Sequence, residues 1–189
     1  MENIVEQSNE LGESIRSICS SVNISKIYSS LMDKMIQIDI ENFDATALGI
    51  ESKPGLYYFH ANFEESNYTS FESFGCVWGK PQGVHKGPKD CPRFYSTRAK
   101  KHPEITDRAN IPFYLGKGEN LNKRVDGHVN DIISSTTYGL KLKARSELLK
   151  SVTLKLGVVY LNLEKDSLFM LEKFESLIRK NINPIIGKQ

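Results

Sequence analysis

Cysteine, tryptophan and unbroken apolar stretches are all scarce in this chain. Its three cysteines, Cys19, Cys76 and Cys91, lie far apart in 189 residues. An odd and scattered set is no disulfide framework and suits a reducing compartment. The longest apolar run, Gly157-Val158-Val159-Tyr160-Leu161, is far too short for a bilayer-spanning helix. The opening residues Met1-Glu2-Asn3-Ile4-Val5-Glu6 place acids where a secretory signal needs bases, and no apolar segment follows. Secreted, transmembrane and disulfide-stapled classes are therefore excluded, and a cytoplasmic protein is expected. Hydrophobic residues at 39% and charged residues at 25% match an ordinary globular composition. A chain of this length folds as one domain, or one domain with an extension, and buries roughly 70% of its unfolded surface.

The net charge of +2 conceals a polarised chain. Residues 1–50 hold eight acids against Arg16, Lys26 and Lys34, a balance of −5. Residues 76–102 hold Lys80, Lys86, Lys89, Arg93, Arg98, Lys100 and Lys101 against Asp90 alone, a balance of +6. Separation of this kind points to a polyanionic partner, although a basic segment can also be a merely solvated loop.

Apolar periodicity divides the chain. In residues 1–52 Ile4, Leu11, Ile15, Ile18 and Val22 share one helical face, and Ile24, Ile27, Leu31 and Met35 begin a second stripe. This helical extension is expected to cover one face of the domain at 53–189. Ile36, Ile38 and Ile40 alternate with polar residues, which suits a short strand or a continued helix. After the Pro54-Gly55 breaker, the aromatic run from Leu56 to Phe63 reads as a strand. Residues 64–110 show no clear periodicity and form an insertion too long to be a passive connection. A second strand at 111–116 follows, then a helix at 120–133 with a Leu121, Val125, Val129 and Ile132 stripe. A basic helix at 138–150, a strand at 152–163 and a helix capped by Ser167 and stopped by Asn183-Pro184 complete the reading. The expected fold is α+β, a small, mostly antiparallel three-stranded sheet flanked by helices.

Within this order Gly55-Leu56-Tyr57 opens one strand and Tyr114-Leu115-Gly116-Lys117 ends the next. Leu121, Arg124 and His128 then fall on one helix, with Glu175, Ile178 and Pro184 near the C-terminus. Arg124 and His128 are four apart and share a face. An always-charged guanidinium suits a bidentate grip on phosphate, although most arginines serve only in surface ion pairs. Glu175 falls inside the apolar arc of Leu168, Leu171, Phe174, Ile178 and Ile182, while Glu172 lies at its edge. A carboxylate in such an arc needs a partner, either a hard cation or a lysine such as Lys117.

This ordered set resembles the GIY-YIG nuclease superfamily, with Leu56 and Leu115 where its motif has isoleucines. The resemblance covers 55–59 and 111–187. It implies a divalent-metal-dependent endonuclease acting on double-stranded DNA, of restriction or mobile-element type. Repair nucleases and non-catalytic DNA-binding modules are the rivals. It implies that Glu175 holds Mg²⁺ or Mn²⁺ and that Arg124 neutralises the scissile phosphate. Tyr57 would take a proton from, or position, the attacking water, and Tyr114 would orient that water or touch phosphate. Lys117 would supply positive charge beside the tyrosines, and His128 would relay protons or bind phosphate. Tyr58, on the opposite strand face, would be ordinary core. One site per chain would favour a homodimer for cutting both strands.

Two departures stand out. Gly187 occupies a position where many members carry asparagine, and 64–110 separates two strands normally joined by a turn. Trp78, Phe94 and Tyr95 interleave there with the seven basic residues, a composition that could grip phosphates and stack on bases. Cys76, His85, Cys91 and His102 lack the close ligand pairs of a zinc finger.

Overall fold

The computed structural model describes residues 2–79, 91–102, 110–133 and 135–187, with the side chains of 2–5 excepted. Among them the architecture is α+β, a four-stranded antiparallel sheet with helices on both faces and a small two-stranded sheet beside it. The N-terminal helices are α1 (Glu2–Ile18) and α2 (Ser21–Asp33), followed by the two-residue strand β1 (Ile36–Gln37). Strand β2 (Gly55–Asn62) pairs with β4 (Ile111–Gly118) on one side and β5 (Thr153–Tyr160) on the other. β1 adds to the free edge of β5, so the order is β1-β5-β2-β4, four strands rather than the expected three.

As the centre of the sheet, β2 is buried on both faces, hence its unbroken aromatic run. Tyr57, Phe59 and Ala61 enter one core, with helix α5 (Leu121–Asn130) and helix α3 (Phe71–Trp78). Leu56 and Tyr58 enter the other, against α2 and helix α7 (Phe169–Ile182). The α2 backbone lies so close to β5 that a Cβ on Gly157 would sit 2.0 Å from the Leu31 carbonyl oxygen. A bulge shifts the β2–β4 register between Phe59, opposite Tyr114, and His60, opposite Pro112. Phe113 is the extra residue, and the bulge sends Phe113 and Tyr114 into the same core.

The N-terminal stripe covers the domain only in part. The chain turns after Ile18, and Leu11, Ile18 and Val22 are exposed, whereas Ile24 and Leu31 of α2 are buried on the sheet. Among the described residues no helix is long and apolar enough to cross a membrane.

The segment expected to be an aperiodic insertion carries α3, strand β3 (Arg93–Phe94) and helix α4 (Ser96–Ala99) in its described parts. β3 pairs with the C-terminal strand β6 (Ile186–Gly187), so the insertion is tied to the end of the chain. Phe71, Phe74 and Trp78 are core, which removes Trp78 from base stacking. Its indole N–H donates to the Pro92 carbonyl at 3.0 Å and its ring lies under the Arg145 guanidinium at 4.3 Å. Phe94 packs against the same core, and Tyr95 stacks with Arg98.

Three helical expectations are corrected. In place of a basic helix at 138–150 there is irregular chain, a short 3₁₀ turn at Lys143–Arg145 and the four-residue α6 (Ser146–Leu149). Lys141 takes a left-handed backbone (φ 55°) and is fully buried, its ammonium donating to the Ile133 and Ser135 carbonyls. Those bonds fold the chain back and exclude a continuous helix. Ser167 belongs to a 3₁₀ turn ahead of α7 and does not cap it. Likewise α5 ends at Asn130, leaving Ile132 exposed instead of extending the stripe.

Candidate active site

A cleft of about 600 Å³ opens between β4, α5 and α7. Tyr57, Tyr114, Lys117, Arg124 and Glu175 all line it, while His128 stands directly behind. Local structure explains each position. Tyr57 comes from the centre of β2, and Tyr114 follows the β4 bulge. Asn120 caps α5 by accepting the Lys123 N–H at 3.0 Å, and the Leu121, Val125 and Val129 stripe seats that helix on the core. Gly116 leaves room for the Tyr57 phenol, because a Cβ there would lie 2.2 Å from its hydroxyl. Gly118 does the same for the Arg124 stem.

Hydrogen bonds fix the protonation of the buried group. The Leu140 N–H donates to His128 Nδ1 at 3.0 Å, so that nitrogen carries a lone pair. The proton of the neutral ring therefore sits on Nε2 and is donated to the Tyr57 hydroxyl oxygen, 2.6 Å away. His128 is completely enclosed, and burial, then the Arg124 charge, holds its pKa well below the usual value. A neutral, enclosed imidazole cannot touch phosphate, which corrects the phosphate-binding half of its expected role.

The two tyrosines differ in acidity for the same reason. Burial raises Tyr57 far above the ordinary phenol, reinforced by Tyr114 and opposed by Arg124. The two rings lie side by side, with centroids 6.1 Å apart. Tyr114 is pushed up to about 12 by burial, with Arg124 opposing and Glu175 reinforcing. His128 thus donates to Tyr57, and both tyrosines line the cleft.

Arg124 donates to the Tyr138 carbonyl at 2.8 Å, and its charge acts on both phenols. No carboxylate pairs with it among the described residues. Glu175 is buried with Met170, Leu171, Phe174 and Ile178, while Glu172 is exposed, as the helix geometry predicts. Its partner is Arg179, one turn further along α7, not Lys117. Lys117 reaches Glu172 instead, at 3.7 Å on the cleft rim. Burial raises the Glu175 carboxyl, with Arg179 and then Lys117 opposing.

Tyr58 lies on the other face in the second core, as expected of an ordinary core residue. It is buried and paired with His60 Nε2 at 2.7 Å. Of the basic residues expected to bind DNA, Lys80, Lys86 and Lys89 lie outside the described residues. Arg98 donates to the Pro184 carbonyl at 3.4 Å and Lys101 to the Asn183 side chain at 2.9 Å, so both brace the α7–β6 turn. Arg93 and Lys100 are exposed. A Cβ on Gly187 would lie 3.0 Å from the Arg98 guanidinium, which therefore fills the space a side chain would need there. Cys76 is exposed and Cys91 buried, and His85 lies outside the described residues.

Sequence reasoning missed Arg179 and Lys141. The first was legible as an i, i+4 partner of Glu175. The second was not, since it depends on a turn with no local signature. Comparison with known proteins finds no matching family model, no similar curated protein and no similar solved structure.

Proposed function

We propose that this protein is a divalent-metal-dependent endonuclease that hydrolyses phosphodiester bonds in double-stranded DNA, acting in the cytoplasm. One observation carries the reading. Two phenol hydroxyls, a guanidinium with no carboxylate partner among the described residues, and a buried carboxylate converge on a single cleft. Packing alone gives no reason for such a set. The motif resemblance to the GIY-YIG nucleases supplies the same residues in the same order.

Among the described residues no group of three or more His, Cys, Asp or Glu side chains could enclose a metal ion. A lone carboxylate still suits Mg²⁺ or Mn²⁺, which keep their waters and take further oxygens from a substrate phosphate. Glu175 would hold that ion, whose chemistry is to polarise the phosphoryl oxygen. Arg124 neutralises charge building on the phosphate, from a low-dielectric wall where a guanidinium acts strongly. Tyr114, the more acidic phenol, first releases its own proton to solvent through the cleft and then, as the phenolate, takes the proton of the attacking water. Tyr57 and the neutral His128 orient it and stabilise its oxygen. This exchanges the two tyrosine roles that the resemblance alone would assign.

Plasmid cleavage with Mg²⁺ and with EDTA tests the reading. Cutting is expected with metal and is lost in Glu175→Ala and Arg124→Ala. Discrete bands indicate a restriction-type enzyme, whereas nicks, or preference for branched duplex, indicate a repair type. A second reading, a DNA-binding module without catalysis, is favoured by the engagement of Glu175 with Arg179. Salt-sensitive duplex binding with no cutting under several divalent metals would establish it. Cutting both strands from one site per chain favours a homodimer, which sedimentation on duplex DNA would detect.

A further inference from the structure

Arg179 has no role in the motif, yet its position is unusual for a helix-surface ion pair. The Arg179 and Glu175 side chains are only 19% and 11% exposed. Both line the cleft, and one Glu175 oxygen already accepts from the guanidinium. Arg179 Nε is enclosed without an acceptor, so the guanidinium is not fully satisfied where it lies. It also faces the like charge of Arg98. An anion entering beside it would relieve both conditions, and Arg124 lies on the opposite wall of the same cleft.

We propose that Arg179 is a second phosphate-contacting residue, held on Glu175 while the cleft is empty and released when a divalent cation takes that carboxylate. A cation and a guanidinium compete for one carboxylate. The cation therefore has to displace a charge-assisted hydrogen bond in a partly dry site. The freed guanidinium needs only a rotamer change to turn its fork on a phosphate oxygen, the geometry for which arginine is best suited. The phosphate half rests on the nuclease reading, whereas the competition rests on the ion pair alone.

The test compares wild type with Arg179→Gln and Glu175→Gln. Arg179→Met, which keeps the packing of the stem and removes the charge, is the second variant should the first fail to fold. Mn²⁺ binding to the protein without DNA is read by electron paramagnetic resonance. Removing the arginine charge is expected to tighten Mn²⁺ about tenfold, the size of one charge-assisted hydrogen bond, and Glu175→Gln to abolish it. Duplex affinity is then followed against salt in Ca²⁺ and in EDTA. Losing one phosphate contact flattens the log–log slope by about 0.9, and this is expected in Ca²⁺ but not in EDTA. A merely structural ion pair would leave that slope unchanged. Unchanged Mn²⁺ affinity, or no Mn²⁺ binding by any variant, would overturn the competition. An unchanged slope in Ca²⁺ would overturn the phosphate contact. A wild-type protein that binds no duplex would refute the nuclease reading and the phosphate contact with it, while the Mn²⁺ measurement would still decide the competition.

Discussion

Replacing Gly116 with alanine would drive a methyl group into the Tyr57 phenol. The new Cβ would lie 2.2 Å from the hydroxyl oxygen and 2.3 Å from the carbon bearing it. The ring cannot step aside cheaply, because it is fully buried among Phe59, Tyr114 and His128, whose centroids lie 6.1, 6.1 and 5.1 Å away. Overpacking of this kind costs about 1–3 kcal/mol. Displacing the hydroxyl also strands the buried His128 Nε2–H, which costs about 1–3 kcal/mol more. With a urea slope of about 2 kcal/mol per M, the combined loss lowers the unfolding midpoint by about 1–3 M. The same substitution at Gly12 has the opposite sign. That residue sits in α1 with nothing within 4 Å of its Cβ, so alanine stabilises by about 0.5–1 kcal/mol through helix propensity. Urea unfolding of both variants checks the magnitudes, and the His128 ring ¹⁵N signals check the mechanism. Gly116→Ala within 0.5 kcal/mol of wild type, or with an undisturbed His128 Nε2–H, would refute the reasoning.

Acid should destabilise the fold through histidine. Burial, then Lys155 and His102, lowers His60 from 6.5 to about 4, and His128 is held well below 6.5. Each is neutral when folded, so their stabilisation is complete above the unfolded pKa and is lost as pH falls below it. Between pH 6 and 5 each contributes up to about 1.4 kcal/mol per pH unit, and His60→Gln should remove one such contribution, as urea titrations across that range will detect. Trp78 is the sole tryptophan and is 1% exposed, so emission should be blue-shifted, insensitive to iodide and unchanged by DNA. Red-shifted emission would refute its core placement, and Trp78→Ala should cost about 3–5 kcal/mol in urea unfolding. Gly157→Ala should lever α2 off the sheet and lower the melting temperature.

What could be read from the sequence was whatever short-range geometry decides. Glu175 was separable from Glu172 because three residues on a helix are a defined rotation, and the burial of the one and exposure of the other follow. The α5 helix was legible because Asn120 and an apolar stripe declare it. Tyr57 and Tyr58 were assigned to opposite faces because strand side chains alternate. Apart from Arg179 and the helix ends, the failures are long-range. Nothing near Lys141 announces that its ammonium will find the carbonyls of residues 133 and 135. Nothing near Trp78 announces that the helix holding it packs into the core rather than toward DNA. The α1 stripe looked like a docking face, but sequence periodicity does not say whether a partner face exists.

On the nuclease reading proposed above, the cleft's charges give a reason for metal and DNA to need each other there. Lys117, Arg124 and Arg179 are balanced by Glu119, Glu172 and Glu175. A divalent cation arriving alone meets a carboxylate already held by a guanidinium, and it leaves that guanidinium with nothing to bind. A phosphate arriving alone meets Arg124 but also the carboxylate of Glu175. Arriving together, the cation takes Glu175 and the phosphate takes the released arginine, so each ligand removes the obstacle to the other. Such coupling is reciprocal by thermodynamic necessity: whatever factor the cation adds to DNA affinity, DNA adds to cation affinity. On that proposal, an ion pair one helical turn long couples the two binding events.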